Sequence, residues 1–210
     1  MYLYPDWKNQ SKSFMRLLNA SPNAPAVDVY FNGQLITSNL AYKDFTEYMS
    51  TSPGLYNVKV FPHGKVSSPI IDTRMKIPTD SILTLALANN LEEIQILPYL
   101  EPKLPIPPGN AYVKFVHLSP GTPNVDITLP NGTILFKDVE FEEGTDYIPL
   151  KVGTYTIEAK PTGSDKTVLT VPNINLKPNR FYTIYAVGYL DGTPSIQVLI
   201  PLDGNSYINL

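Results

Sequence analysis

The sequence predicts an all-β protein built as two tandem antiparallel β-sandwich domains. Three observations carry that reading: an internal repeat, short alternating apolar runs at regular spacing, and no convincing helical period. The repeat is the strongest. Residues 14–29, FMRLLNASPNAPAVDV, return at 112–127 as YVKFVHLSPGTPNVDI, and the correspondence runs on toward the C-terminus. Pro53-Gly54-Leu55-Tyr56-Asn57-Val58 matches Val152-Gly153-Thr154-Tyr155-Thr156-Ile157, and Ile94-Gln95-Ile96-Leu97 matches Ile196-Gln197-Val198-Leu199. A period of about a hundred residues is too long for a solenoid unit, so each copy is expected to be a whole domain.

Taken in order, residues 1–12 read as a flexible aromatic-polar leader. The first domain is expected at 12–100, with strands near 13–19, 26–31, 34–38, 44–49, 55–62, 69–77, 81–88 and 93–98. Pro, Gly, Asn and Asp bound these runs, as they do in β-sandwiches. Asn32-Gly33 and Asn131-Gly132 lie between apolar runs, where positive φ at both residues favours a tight hairpin. Tyr56, Val58 and Val60 alternate with polar neighbours, as do Tyr155, Ile157 and Ala159, so each set is expected to face a core. Residues 101–109 hold Pro102, Pro105, Pro107 and Pro108 and read as a semi-rigid linker between close neighbours. The second domain follows at 110–202, with strands near 111–118, 125–129, 133–137, 145–150, 154–160, 167–174, 180–188 and 195–201.

Bulk properties narrow the functional classes. The chain has 210 residues, 43% hydrophobic and 17% charged, with no cysteine. Disulfides and thiolate chemistry are therefore excluded. Net charge is −3, with no basic run, which argues against a nucleic-acid partner. No stretch is long and apolar enough for a membrane span. The first residues lack the features of a signal peptide, so as written the expectation is a cytoplasmic protein.

The segments NASPNAPAVDVYFNG and HLSPGTPNVDITLPNG resemble the opening signature of the DUF4397 family, a bacterial domain of uncharacterised function often found in tandem. SPGLYNVKVFPHG and KVGTYTIEAKPTG are similar to that family's later strands. The resemblance covers residues 14–202. It implies an immunoglobulin-like or transthyretin-like module, common on exported or cell-surface proteins, and it supplies no catalytic residues.

The residues that invite a chemical role each have a structural alternative. Asp28 and Asp126 follow the Ser-Pro turns of Ser21-Pro22 and Ser119-Pro120, and are expected to be buried acceptors for backbone N–H groups of residues 20–25 and 118–123. Ser119, His117 and Asp126 suggest a hydrolytic triad, but position 117 is Asn19 in the first copy and no nucleophile-elbow motif is present. Two unmatched histidines and no cysteine leave no zinc set. Glu142, Glu143 and Asp146 offer oxygen ligands for calcium, or an acid pair for a hydrolase, without the spacing of a calcium loop. Among fourteen tyrosines and one tryptophan, Trp7, Tyr42, Tyr48, Tyr99 and Tyr189 fall in predicted loops and leaders, where rings can stack on sugars or anchor a protein.

The expected function is thus a non-catalytic tandem β-sandwich for interaction or scaffolding, needing no cofactor. Its expected partner is a protein or polysaccharide. A carbohydrate-binding module is the alternative, and a carboxylate-dependent hydrolase the third.

Overall fold

A computed structural model describes residues 11–210. The first repeat contributes β1 (Ser13–Asn19), β2 (Val27–Phe31), β3 (Gln34–Leu40), β4 (Met49–Thr51), β5 (Gly54–Pro62), β6 (Ile71–Ile77), β7 (Ile82–Ala88) and β8 (Gln95–Leu100). The second contributes β9 (Asn110–Leu118), β10 (Val125–Thr128), β11 (Ile134–Val139), β12 (Ile148–Lys151), β13 (Gly153–Pro161), β14 (Leu169–Leu176), β15 (Phe181–Val187) and β16 (Gln197–Leu199). The helical elements among the described residues are two single 3₁₀ turns, Leu91–Glu93 and Gly204–Ser206, and no helix there can cross a membrane.

Each repeat forms two four-stranded sheets with the same strand order. The first has β3-β2-β5-β6 facing β4-β1-β7-β8, and the second β11-β10-β13-β14 facing β12-β9-β15-β16. Pairing is antiparallel except at the centre of one sheet per domain, where β1 lies parallel to β7 and β9 parallel to β15.

Alternation along the strands accounts for the cores. Met15, Leu17, Leu83, Leu85 and Leu87 meet Val29, Phe31, Val58 and Val60 inside the first sandwich. Val113, Phe115 and Ile184 meet Ile127, Ile157 and Ala159 inside the second. Tyr56 and Tyr155 pack at the margin of their cores, as their strand faces require.

The other faces of β1, β7, β9 and β15 are buried as well. Leu18, Ala20, Ala86, Ala88 and Tyr99 of the first domain form one apolar cluster with Val116, Leu118, Tyr185 and Val187 of the second. The molecule is therefore four sheets deep, with the two parallel-centred sheets packed against each other. Strands buried on both faces read as near-continuous apolar runs, which describes ILTLALA in β7.

Two local features differ from the sequence reading. The runs at 44–49 and 145–150 contribute only the short strands β4 and β12, because Leu17 N–H donates to the Thr46 hydroxyl and Phe115 N–H to the Thr145 hydroxyl, side-chain bonds that stand in for backbone ladder bonds in the earlier residues. The two Asn-Gly turns also diverge. Asn32 and Gly33 both take positive φ, but in the second copy only Gly132 does. The inserted Pro130 explains this, since its fixed φ favours the first central position of a type I turn, here closed by Gly132 N–H on the Leu129 carbonyl.

Leu85→Ala is expected to lower unfolding stability by about 2–5 kcal/mol, as cavity-forming core truncations do. Leu55→Ala, on an exposed position of β5, is expected to change it by less than about 0.5 kcal/mol. Urea denaturation measures both, and equal effects would contradict this placement of the core.

Candidate functional site

The polar residues of the two central sheets converge at one end of the domain junction. On β1, Arg16 sits between core-facing Met15 and Leu17, so its side chain leaves its own domain's core and enters the junction. It is 4% exposed. Its Nε donates to Thr84 Oγ1 (2.8 Å), Nη1 to the Leu202 carbonyl (3.1 Å) and Nη2 to Asp203 Oδ1 (2.9 Å). Glu101 Oε1 lies 3.7 Å from Nη2.

Each acid is held from several sides. Glu101 accepts from Thr84 Oγ1 (2.8 Å), Tyr48 OH (2.6 Å) and the Gly204 N–H (2.8 Å). Asp203 accepts from Tyr147 OH (2.7 Å) and Thr183 Oγ1 (2.6 Å) as well as from Arg16. Lys114 donates to the Leu100 carbonyl at 2.6 Å and lies 4.8 Å from the Tyr147 ring centroid.

These residues are related by the repeat. Arg16 pairs with Lys114, Thr84 with Thr183, Tyr48 with Tyr147, Leu100 with Leu202 and Glu101 with Asp203, at the offsets of 98, 99 and 102 that the sequence copies show. Contacts across the junction obey the same relation. Lys43 donates to Gln197 Oε1, and Gln95 donates to Glu142 Oε1, the two mates exchanged. Tyr189 OH donates to Asn90 Oδ1, a residue meeting its own counterpart. The junction thus has the self-complementary pattern of a two-fold dimer interface, realised within one chain.

Electrostatics follow from burial. Asp203 is pushed up to about 6 by burial and by Glu101, while Lys114, Arg16 and the Thr183 hydrogen bond oppose the rise. Burial lowers Lys114, with Asp203 and Glu101 resisting. Burial also opposes the charge on Arg16, but Tyr185, Tyr48, Glu101 and Asp203 outweigh it and hold the guanidinium above its ordinary value.

The predicted site residues fall in different places. Asp28 is 6% exposed, but its donors are not those of the Ser-Pro turn. They are Ser38 Oγ (2.8 Å) and Asn39 N–H (2.8 Å), then Gly64 N–H (3.0 Å), with His63 Nδ1 at 2.8 Å. Burial works against its charge, yet the bonds to His63, Gly64, Asn39 and Ser38 prevail and hold it below the usual carboxylate range. Asp126 is only half-buried and accepts from Asp138 N–H and Thr162 Oγ1, the counterparts of Asn39 and His63. The reason is strand direction: Asp28 pairs with Phe61 on β5, so its side chain reaches the turn after β5 rather than the turn before β2.

The Ser-Pro turns are tied elsewhere. Ser21 Oγ donates to the Asn89 carbonyl and Ser119 Oγ to the Gly188 carbonyl, while Pro22 and Pro120 close the bend. The Ser119 N–H donates to His117 Nδ1 as the Ser21 N–H donates to Asn19 Oδ1. His117 therefore stands in for an asparagine side chain, and its ring does not receive the Ser119 hydroxyl proton. Burial holds it below the ordinary histidine value, against the bond to the Pro123 carbonyl.

Glu142, Glu143 and Asp146 are not gathered around one point: Glu142 takes Gln95, Glu143 accepts the Glu140 N–H, and Asp146 stands apart on a cleft wall. Among the described residues no three acid, histidine or cysteine side chains are grouped to hold a metal. Of the aromatics, Tyr48 and Tyr99 are enclosed in the junction, with Tyr99 OH donating to the Glu142 carbonyl (2.8 Å). Tyr42 packs beside the junction cluster and Tyr189 bridges it. These four do not make a free stacking face, and Trp7 lies outside the described residues. Glu101, assigned to the linker by its neighbouring prolines, is instead 2% exposed and central to the network.

Fold and junction together define a tandem β-sandwich whose copies are locked face to face. The chain belongs to the DUF4397 family, a domain of unknown function, whose model matches residues 13–128 and 128–206. No curated protein matches the sequence. Among solved structures it is similar to one described as alpha-glucan binding by a streptococcal virulence factor, with 10% identity over 94% of this chain and 99% of that one, at a TM-score of 0.29. It is also similar to CBMbc (family CBM26) from Eubacterium rectale Amy13K in complex with maltoheptaose, with 7% identity over 92% and 99%, at 0.30. A third is the Bacillus anthracis TIE protein, 13% identical over 83% of this chain and 33% of that one, at 0.25. Likeness this slight bears on neither fold nor function.

Arg16→Met leaves two buried carboxylates without their cation and is expected to destabilise the protein by about 3–5 kcal/mol in chemical denaturation. The two perturbed aspartates act in opposite directions with pH. The folded value of Asp203 lies above 3.8, so its ionisation weakens the fold, fully above about 6 and not at all well below 3.8. The folded value of Asp28 lies below 3.8, so its contribution is complete above that pH and is lost as pH falls through the folded value. Asp203→Asn should remove the Asp203 share of the stability change between those two pH values, and Asp28→Asn the Asp28 share at lower pH. For His117, stability is present above 6.5 and is lost as pH falls from there. His117→Asn is therefore expected to melt with less acid sensitivity between about pH 7 and about pH 5.

Proposed function

We propose that this chain is a non-catalytic tandem β-sandwich that serves as a rigid interaction or scaffolding element. The observation that carries this reading is the junction. It buries the outer faces of both central sheets and a charged network, which favours one fixed orientation of the two domains. Groups that would otherwise be candidates for acid-base or nucleophilic work are engaged in structure: Arg16, Glu101 and Asp203 hold the junction, while Ser21, Ser119 and His117 tie turns within their own domains.

What remains available to a partner is the two outer sheets, their edges and the end loops. Edge strands β3 and β11 each carry an exposed apolar residue at the same repeat position, Leu35 at 48% and Ile134 at 50%. An open edge with an apolar side chain suits recognition by strand addition, in which main-chain bonds supply affinity and the side chain supplies selectivity. Two such edges held at a fixed separation suit a partner with two copies of the recognised segment.

Small-angle scattering on the intact protein tests the rigid arrangement. Replacing residues 103–108 with Gly/Ser is expected to leave the interdomain distance distribution narrow, because the junction rather than the linker sets it. Leu118→Asp is expected to broaden it. A broad distribution in the unaltered protein would remove the rigid-tandem reading. Hydrolysis of a glycoside or ester panel, abolished by one substitution, would remove the non-catalytic one.

A further inference from the structure

The repeat relation fails at several positions of the junction, and a cleft lies beside one of them. On the Arg16 side the ring of Phe45 covers the guanidinium at 4.8 Å and packs on Tyr185. Behind it the chain is closed up. A Cβ built on Gly204 would fall within 3 Å of Ile82, Ile208 and Tyr48, and Tyr207 meets Tyr48 edge to face. On the Lys114 side the counterpart of Phe45 is Gly144, which brings no side chain of its own; the Tyr99 ring packs against it, so close that a Cβ there would fall within 3 Å of the ring. A cleft of about 610 Å³ occupies the junction there, with Lys114 and Tyr147 among its lining residues. That volume lies in the range of small-molecule sites.

Lys114 is the cation of the network without a direct ion pair. Both carboxylates of the network pair with Arg16, and among the described residues no carboxylate forms an ion pair with Lys114. It is 3% exposed and among the described residues its one hydrogen bond is to the Leu100 carbonyl, although an ammonium has three protons to donate. The mouth of the cleft carries two exposed leucines, Leu100 at 51% and Leu104 at 36%, beside Pro102. Exposed apolar groups rimming a concave site with one buried polar group mark a ligand that is apolar in body and charged at one end.

We propose that the cleft over Lys114 binds a small monocarboxylate with an apolar body, the carboxylate meeting the Lys114 ammonium and the body lying on Leu100, Pro102 and Leu104. A single negative charge fits better than a phosphate. Asp146 stands on the wall and Glu101 and Asp203 act on Lys114 from behind, so a second charge on the ligand would be repelled. Binding supplies the partner that burial denies Lys114, and so favours its charged form.

The test is an amide-resolved NMR titration of the full chain with 3-phenylpropionate and hexanoate, beside their neutral amides and inorganic phosphate. Saturable shifts are expected at Lys114, Gly144 and Thr145, with the neutral amides at least roughly tenfold weaker and phosphate weaker still. Lys114→Met should lose at least about tenfold in affinity. Because that variant also touches the junction, Leu104→Asp is the second: it sets a carboxylate on the rim, leaves the network intact, and should weaken carboxylate binding by a similar factor. Equal response to carboxylates and their amides, preference for phosphate, shifts mapping away from the cleft, or no saturation up to the solubility of the acids would each overturn the proposal.

Discussion

The outer faces of the β1/β7 and β9/β15 sheets are apolar, and each is dry only because the other covers it. Leu18, Ala86 and Ala88 on one side and Val116, Leu118, Tyr185 and Val187 on the other would be water-exposed in separated domains. At about 25 cal/mol per Å² of apolar surface, a patch of that kind is a strong reason for the domains to associate. The parallel central pairs fit this arrangement, because strands of that type are normally covered on both faces. The proline-rich connection then has little to hold, since the surfaces it joins already adhere.

Within this dry interface the charged residues do a different job from the apolar ones. Burying four ionisable side chains is expensive, and a hydrophobic replacement of similar shape would often be as stable. What Arg16, Glu101, Asp203 and Lys114 add is direction. Arg16 must meet the carbonyl of Leu202, and Lys114 that of Leu100, so sliding one sheet over the other breaks both bonds. The Thr84 hydroxyl illustrates how completely the network is wired. It accepts from Arg16 and donates to Glu101, using the residue that interrupts an otherwise apolar strand.

How much of this could be read from the sequence depends on whether the information was local. Strand positions and core faces were legible because alternation with period two is local, and the domain count because the copies align. The burial of Asp28 was also legible. Its donors were not, since Ser38 and His63 lie 10 and 35 residues away and reach it only through strand pairing. The junction left a signal that only pairing makes meaningful: a polar residue at the same place in both copies of an apolar strand, Arg16 with Lys114 and Thr84 with Thr183. Tyr48 and Tyr99 looked like surface aromatics because a ring bound for another domain's face has no partner in its own local pattern. Glu101 was obscured by composition, since prolines beside it mark a linker while its carboxylate answers to Gly204 of the other repeat.

The differences between the copies concentrate where the two-fold relation would have placed identical bulk on both sides of the axis. Ala86 answers to Tyr185, Phe45 to Gly144 and Tyr99 to Pro201. The fully buried Tyr185 ring meets Phe45 on one side and Tyr99 on the other, at centroid distances of 5.8 and 6.4 Å. Two copies of Tyr185 or two of Phe45 at this axis would crowd the same volume, and overpacking is itself destabilising. Fusing the repeats in one chain removes the requirement for symmetry that a dimer of identical subunits must obey. One side of the junction can then be filled with aromatic side chains while the other borders a cleft lined in part by Lys114, and the same scaffold holds both a closed ion network and a buried cation without a direct ion pair.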